Sequence, residues 1–126
     1  MIVHVGTDLV RISDVAASIE MFGHRYLERV YSSRELALCR SATGAPSASR
    51  LAARFAAKES VIKALRPSDG LMMNEIEVSV DETGAPTMVY SGAAARWIES
   101  LHVATASISL THEGDFAMAV FVAFTV

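Results

Sequence analysis

Three ionisable side chains carry the first chemistry this sequence offers: Asp8, Glu59 and Lys63. Asp8 directly follows the apolar run Ile2-Val3-His4-Val5 and a Gly6-Thr7 pair, where the end of a strand projects a side chain into a cleft. Glu59 and Lys63 stand four apart in a segment of helical periodicity, so both lie on one side of a helix. Two carboxylates from separate elements, with lysine close by, are the usual means of holding Mg²⁺ on a phosphate ester. Magnesium accepts one or two protein carboxylates and fills its remaining positions with water and substrate phosphates. Position alone leaves plainer readings open. Glu59 and Lys63 also have the spacing of a surface ion pair contributing about 0.2–0.5 kcal/mol, and an aspartate after Gly-Thr also suits a turn or a helix entry.

The helix that must carry Glu59 and Lys63 is the longest the pattern predicts, from about Ser47 to Leu65, halted by Pro67 and Gly70. At about 100° per residue, Leu51, Phe55, Val61, Ile62 and Leu65 share one arc of roughly 120°, the core-facing stripe. Arg54 and Lys58 fall inside that arc. A buried cation without a partner is costly, so cations on an apolar face need an anion or a stem that carries the charge out to water. Glu59, Lys63 and Arg66 gather along one edge of the stripe, and Ala52, Ala53, Ala56, Ala57 and Ala64 fill the rest. Side chains that small let another backbone or a ligand approach closely.

Around this helix the sequence predicts a short strand at Ile2–Val5, ended by Gly6-Thr7-Asp8. A helix opened by Ser13-Asp14 follows, then one holding Tyr26, Leu27 and Val30, then one from the capping-box pair Ser32 and Glu35 to about Cys39. Residues 41–49 read as a loop. Ile76–Val80 alternates as a half-buried strand, residues 81–86 turn, and Thr87–Tyr90 form a second strand. Ser91 is placed to cap a helix reaching Leu101, and the chain closes with a strand at 106–111, a turn at 112–115 and a strand at 116–126. The sum is an α+β fold in a single domain spanning residues 1–126. With 52% hydrophobic residues and several wholly apolar strands, part of the apolar surface is expected to be covered by another subunit.

A formal charge of −3 argues against a nucleic-acid binder, which carries a basic domain. The cations Arg50, Arg54, Lys58, Lys63 and Arg66 concentrate in one segment, which suits a phosphorylated small molecule or an acidic protein partner. Cys39 is alone, so neither an internal disulfide nor a cysteine zinc cluster is available. Asp8 and Arg11 interrupt what would otherwise resemble an apolar leader, and the uncharged stretch 116–126 is too short to span a bilayer. The expected setting is the cytoplasm, with no membrane partner. His4, His24 and His102 read as structural, and His112, by position alone, as a turn histidine.

Val5-Gly6-Thr7-Asp8-Leu9-Val10 resembles the opening of the short bacterial holo-acyl-carrier-protein synthases, single-domain members of the 4′-phosphopantetheinyl transferases. Arg54-Phe55-Ala56-Ala57-Lys58-Glu59-Ser60-Val61-Ile62-Lys63-Ala64-Leu65 resembles that family's central signature almost letter for letter. Residues 28–36, then 76–78 leading to Gly84-Ala85-Pro86, then 109–112 followed by Ala117-Met118-Ala119, agree more weakly but in order and spacing. The resemblance implies a phosphopantetheinyl transferase-like fold, a small antiparallel sheet packed against the long helix and assembled as a homotrimer. Coenzyme A would lie in a cleft between neighbouring subunits. The implied reaction moves 4′-phosphopantetheine from coenzyme A to a serine of apo acyl carrier protein with Mg²⁺, releases adenosine 3′,5′-bisphosphate, and supports fatty acid biosynthesis.

On that resemblance Asp8 and Glu59 are the metal ligands and Lys63 stands near the transferred phosphate, all three in catalytic roles. Arg54 and His112 hold the nucleotide end of coenzyme A. The acceptor of the serine proton is left between a metal-held water and Glu59. Lys58 is left between ligand contact and a structural place at the subunit interface. One departure stands out. Where the family commonly has a basic residue six positions after the first metal aspartate, helping to dock the acidic carrier, this sequence has Asp14. Either Arg11 and a neighbour such as Arg25 substitute for it, or the carrier-facing surface has changed its charge preference. The competing readings are a trimeric coenzyme-A- or nucleotide-binding module without transfer activity, a Mg²⁺-dependent phosphohydrolase, and a purely structural trimer. The joint presence of Asp8, Glu59 and Lys63 argues against the first.

Overall fold

The structure, a computed structural model, describes residues 1–68 and 70–126. In chain order its elements are strand β1 (Ile2–Arg11), helices α1 (Ile12–Phe22), α2 (His24–Val30), α3 (Ser33–Leu38) and α4 (Ala48–Leu65), and a 3₁₀ turn at Met73–Glu75. Strands β2 (Ile76–Val80) and β3 (Pro86–Tyr90), helix α5 (Gly92–Ser100), and strands β4 (Val103–Glu113) and β5 (Phe116–Thr125) complete the chain. β1, β5 and β4 form an antiparallel sheet with the last strand in the centre, and β2 and β3 form a separate antiparallel pair. The α+β class expected from the sequence is the class observed.

Two strand ends differ from expectation. β1 does not stop at Gly6 but continues through Thr7 and Asp8 to Arg11, paired with β5 from Ile2↔Thr125 to Arg11↔Phe116. Continuous pairing along β5 outweighs the turn tendency of Gly-Thr-Asp. Asp8 is therefore a mid-strand residue opposite Ala119, not a residue at a strand end. β4 likewise runs to Glu113, which leaves only Gly114 and Asp115 as the turn and makes His112 a strand residue opposite Ala117.

α4 lies across the inner face of the three-stranded sheet. Ala117, Ala119, Phe121, Ala123 and Thr125 of β5 alternate into the core, and α4 meets them with Leu51, Ala52, Ala56, Ala57, Val61 and Ala64. Alanines on both sides draw helix and sheet together. The buried stripe of α4 is rotated from the expected one: Ala52, Ala56 and Ala57 are sealed, while Phe55 and Ile62 are only half-buried. The opposite face of the sheet is apolar yet uncovered within one chain, with Val3, Val5 and Leu9 at 55%, 60% and 64% exposure beside Phe116 and Met118.

Lys58 is fully enclosed. Its ammonium donates to Glu35 Oε1 at 2.6 Å and to the carbonyls of Met73 and Ile76. Glu35 is equally buried; its other oxygen accepts from the Val78 N–H at 2.9 Å, and Oε1 also accepts from the Ser32 N–H in the capping box of α3. One ion pair thus ties α3, α4, the 3₁₀ turn and β2 together. Burial holds the Lys58 ammonium below the usual lysine range, with Glu35 pulling the other way. The N-terminus of α5 also departs from expectation. The Ser91 side chain makes no capping bond, and Glu75 Oε2 from the 3₁₀ turn accepts from the Ala93 N–H at 2.9 Å instead.

Candidate active site

The crossing of α4 over β1 brings Asp8, Glu59 and Lys63 to the wall of one hollow of about 680 Å³. Asp8 reaches it from the inner face of β1, and Glu59 and Lys63 from successive turns of α4. Lys63 Nζ donates to Asp8 Oδ1 at 2.8 Å, with Asp8 mostly buried and the lysine half exposed. That hydrogen bond is the first reason the lysine holds its proton above the usual range. Glu59 is half-buried. Burial first, and the charge of Asp8 second, hold its carboxyl above the usual carboxylate range, while Lys63 pulls it down.

Two carboxylates that repel each other, with one lysine as their cation, form a donor set that a hard divalent cation fits. Among the described residues no cluster of three or more His, Cys, Asp or Glu is placed to hold a metal. A cation here therefore relies on two protein oxygens, within the number magnesium accepts.

Tyr26 and Phe55 form part of the same wall, and Arg11 and Asp14 also border the hollow. The Tyr31 hydroxyl donates to the Leu51 carbonyl at 3.0 Å, which leaves the Tyr26 hydroxyl to donate to Tyr31 at 2.9 Å. The Arg11 guanidinium lies 5.2 Å from the centre of the Phe116 ring. The sequence assigned Tyr26 and Phe55 to apolar helix faces. No local signal marks them as site walls, because periodicity says which residues are inward and not what they face.

The structure leaves Arg54 and His112 apart from the other three. Arg54 lines a separate hollow with Val78, Gly84, Pro86 and Ile108, and its Nε is buried without a hydrogen-bond partner among the described residues. His112 lines a third hollow with Leu9, Phe116 and Met118; Leu9 and Phe116 also border the hollow of Asp8. Arg66, grouped with Glu59 and Lys63 on the helical wheel, instead caps α4 in a left-handed conformation at φ 48° and does not line that hollow. His4 hydrogen-bonds Thr125 Oγ1 at 2.9 Å, in keeping with a structural place.

Residues 4–121 match the family described as the 4′-phosphopantetheinyl transferase superfamily, and the chain belongs to it. Within that superfamily its curated relatives are holo-[acyl-carrier-protein] synthases. That of Nitratidesulfovibrio vulgaris is 40% identical over 124 residues, covering 97% of this chain and 98% of its own, and that of Koribacter versatilis is 38% identical over 121 residues, covering 94% and 95%. Among solved structures, the ACPS–CoA complex of Chronobacterium ammoniagenes superposes with a TM-score of 0.86 at 28% identity, covering 100% of this chain and 99% of that one. Helicobacter pylori holo-[acyl-carrier-protein] synthase in complex with coenzyme A gives 0.81 at 30% identity, covering 95% and 99%. The resemblance read from residues 5–10 and 54–65 is borne out.

Proposed function

We propose that this chain is one phosphopantetheinyl transferase domain over residues 1–126 that moves 4′-phosphopantetheine from coenzyme A to a serine of apo acyl carrier protein, with Mg²⁺ held by Asp8 and Glu59. The observation that carries the reading is the meeting of Asp8, Glu59 and Lys63, from two elements far apart in sequence, in one hollow. The carrier serine hydroxyl attacks the β-phosphorus of the coenzyme A pyrophosphate. Its oxygen–phosphorus bond forms as the bond from that phosphorus to the bridging oxygen breaks, and adenosine 3′,5′-bisphosphate leaves with the electron pair. Magnesium, when bound, supplies positive charge to the pyrophosphate oxygens. Lys63, on a long half-exposed stem, adds a second positive charge at the leaving oxygen. Glu59, on the turn of α4 that faces the hollow, is the chain's own group placed to take the serine proton. Tyr26 and Phe55 give the hollow an aromatic part of its wall.

The nucleotide end of coenzyme A goes to Arg54 and His112 of a neighbouring copy in a homotrimer. Two features support this: the uncovered apolar face of the sheet around Val3, Val5 and Leu9, and an Arg54 Nε buried without a partner among the described residues, which an anion would satisfy. An acidic carrier suits the exposed Arg25 and Arg29, which flank Tyr26 next to the exposed Phe22, with Asp14 of opposite charge on the rim. The setting is cytoplasmic and the pathway fatty acid biosynthesis. Among the described residues no helix is long and apolar enough to cross a membrane.

The test is the intact mass of an apo acyl carrier protein after incubation with this protein, coenzyme A and Mg²⁺, against the same mixture with the variant Asp8→Ala plus Glu59→Ala. A gain of one phosphopantetheinyl group, absent with the variant, is expected. No gain with several carriers, although coenzyme A binds, would overturn the transferase reading in favour of a binding module.

A further inference from the structure

We infer that Gly6 is a positioning residue for the metal site: its missing side chain lets α4 lie close enough on β1 for Glu59 and Lys63 to share a hollow with Asp8. The inference rests on the metal-ligand reading above and concerns what holds the two ligands at their separation.

A Cβ placed on Gly6 would lie 1.8 Å from the Ser60 carbonyl oxygen, 2.8 Å from the Ala64 nitrogen and 2.9 Å from the Ser60 carbonyl carbon. Carbon and oxygen in contact stand about 3.3–3.6 Å apart. All three obstructing atoms are helix backbone, so no side chain can rotate aside and the helix itself would have to move. Gly6 is not among the residues with positive φ, and it pairs with Phe121 as an ordinary strand residue. Backbone conformation therefore does not demand glycine here; the approach of a second backbone does.

The contact falls beside the chemistry on both elements. Asp8 follows Gly6 by two residues and lies on the same face of β1. Ser60 follows Glu59, and Ala64 follows Lys63. Ser60 Oγ is turned back to the Ala57 carbonyl at 2.7 Å and Ala64 carries only a methyl group, so α4 also puts nothing bulky into the crossing. The sheet supports α4 elsewhere through alanines of β5, whose methyl groups keep the backbones further apart. Gly6 is thus a point where strand and helix backbones meet directly, and the site residues stand next to it on both elements.

The test is Mn²⁺ binding to the protein saturated with coenzyme A, followed by electron paramagnetic resonance of the free ion against coenzyme A alone, for wild type, Gly6→Ala, Ala64→Val and Ile76→Val. Gly6→Ala is expected to weaken Mn²⁺ binding about 10–100-fold, the range for losing a residue that orients metal ligands. Ala64→Val enlarges the same crossing at a slightly exposed position and is expected to act in the same direction with smaller effect. Ile76→Val instead removes a buried methyl group on β2, which carries none of the three site residues; it is expected to lower the melting temperature while leaving Mn²⁺ affinity unchanged. A folded Gly6→Ala protein that binds Mn²⁺ like wild type, or weakens no more than Ile76→Val, would overturn the inference. If Gly6→Ala does not fold, wild-type affinity in Ala64→Val would do the same. Wild-type protein that takes up no Mn²⁺ would instead bring down the metal-site reading itself, and this inference with it.

Discussion

Lys58 and Lys63 stand five residues apart on α4, and each pairs with a carboxylate from another element, Glu35 at 2.6 Å and Asp8 at 2.8 Å. In the first pair both side chains are 0% exposed; in the second the lysine is 53% exposed. Their surroundings assign them opposite work. The buried pair spends its hydrogen bonds on backbone groups of the 3₁₀ turn and β2, so neither ion is left to meet a ligand. The open pair has an ammonium that can swing away from Asp8 and a neighbouring carboxylate, Glu59, held in a state that a cation would relieve. Five residues along a helix turn the side chain through about 500°, or 140° beyond a full circle, enough to move a lysine from core to rim.

The strongest way to break this contrast is at its buried end. Lys58→Ala leaves Glu35 buried and uncompensated and should cost about 3–5 kcal/mol of stability, read from urea unfolding. Lys58→Met combined with Glu35→Leu removes both charges but leaves the Val78 N–H and the Met73 and Ile76 carbonyls without these partners, so it should recover only part of that loss. A Lys58→Ala protein within 1 kcal/mol of wild type, roughly the ceiling for a surface pair, would mean that the two pairs are alike after all.

At the open end the effects should invert. Asp8→Ala and Glu59→Ala should each reduce transfer to the carrier by about 10²–10³-fold, the scale for removing one preorganised electrostatic contact, and shift unfolding free energy by no more than about 1 kcal/mol. Lys63→Ala should lower transfer while costing at most a few degrees of melting temperature, since a pair with a half-exposed lysine contributes at most about 1 kcal/mol. A double-mutant cycle of Lys63 with Asp8 in the absence of metal would sharpen the point: coupling well above that figure would make the open pair structural.

The smallest effect concerns pH and the interior alone. Burial pushes Tyr90 up to about 12, above its ordinary value. A folded-state value above the unfolded one stabilises the fold fully below about pH 10, and that stability is lost as pH rises from 10 toward 12. Tyr31 is raised in the same direction, by burial first and by Tyr26 second. Urea midpoints at pH 9 and 11 should therefore diverge, and Tyr90→Phe should narrow the gap. An unchanged gap in that variant would remove Tyr90 as a source of alkaline destabilisation.

The sequence by itself determined the elements with strong local signals. The capping box of Ser32 and Glu35, the alternation of residues 76–80, and α4 with its Ser47 cap are local matters of periodicity and hydrogen bonding between near neighbours. It also put forward Asp8, Glu59 and Lys63 as candidates, and the tertiary structure brings the three to one hollow. What it could not decide is set by partners far along the chain. β1 runs past Gly6 only because β5, more than a hundred residues later, pairs with it, and His112 becomes a strand residue for the same reason. The cation on the apolar arc at Lys58 was visible as an anomaly, yet its resolution lay in Glu35, 23 residues away. The helical wheel grouped Arg66 with Glu59 and Lys63, but α4 ends at Leu65 and takes Arg66 out of the row. Tertiary structure alone decided how near two backbones come at Gly6, because that distance is set by atoms a glycine does not have.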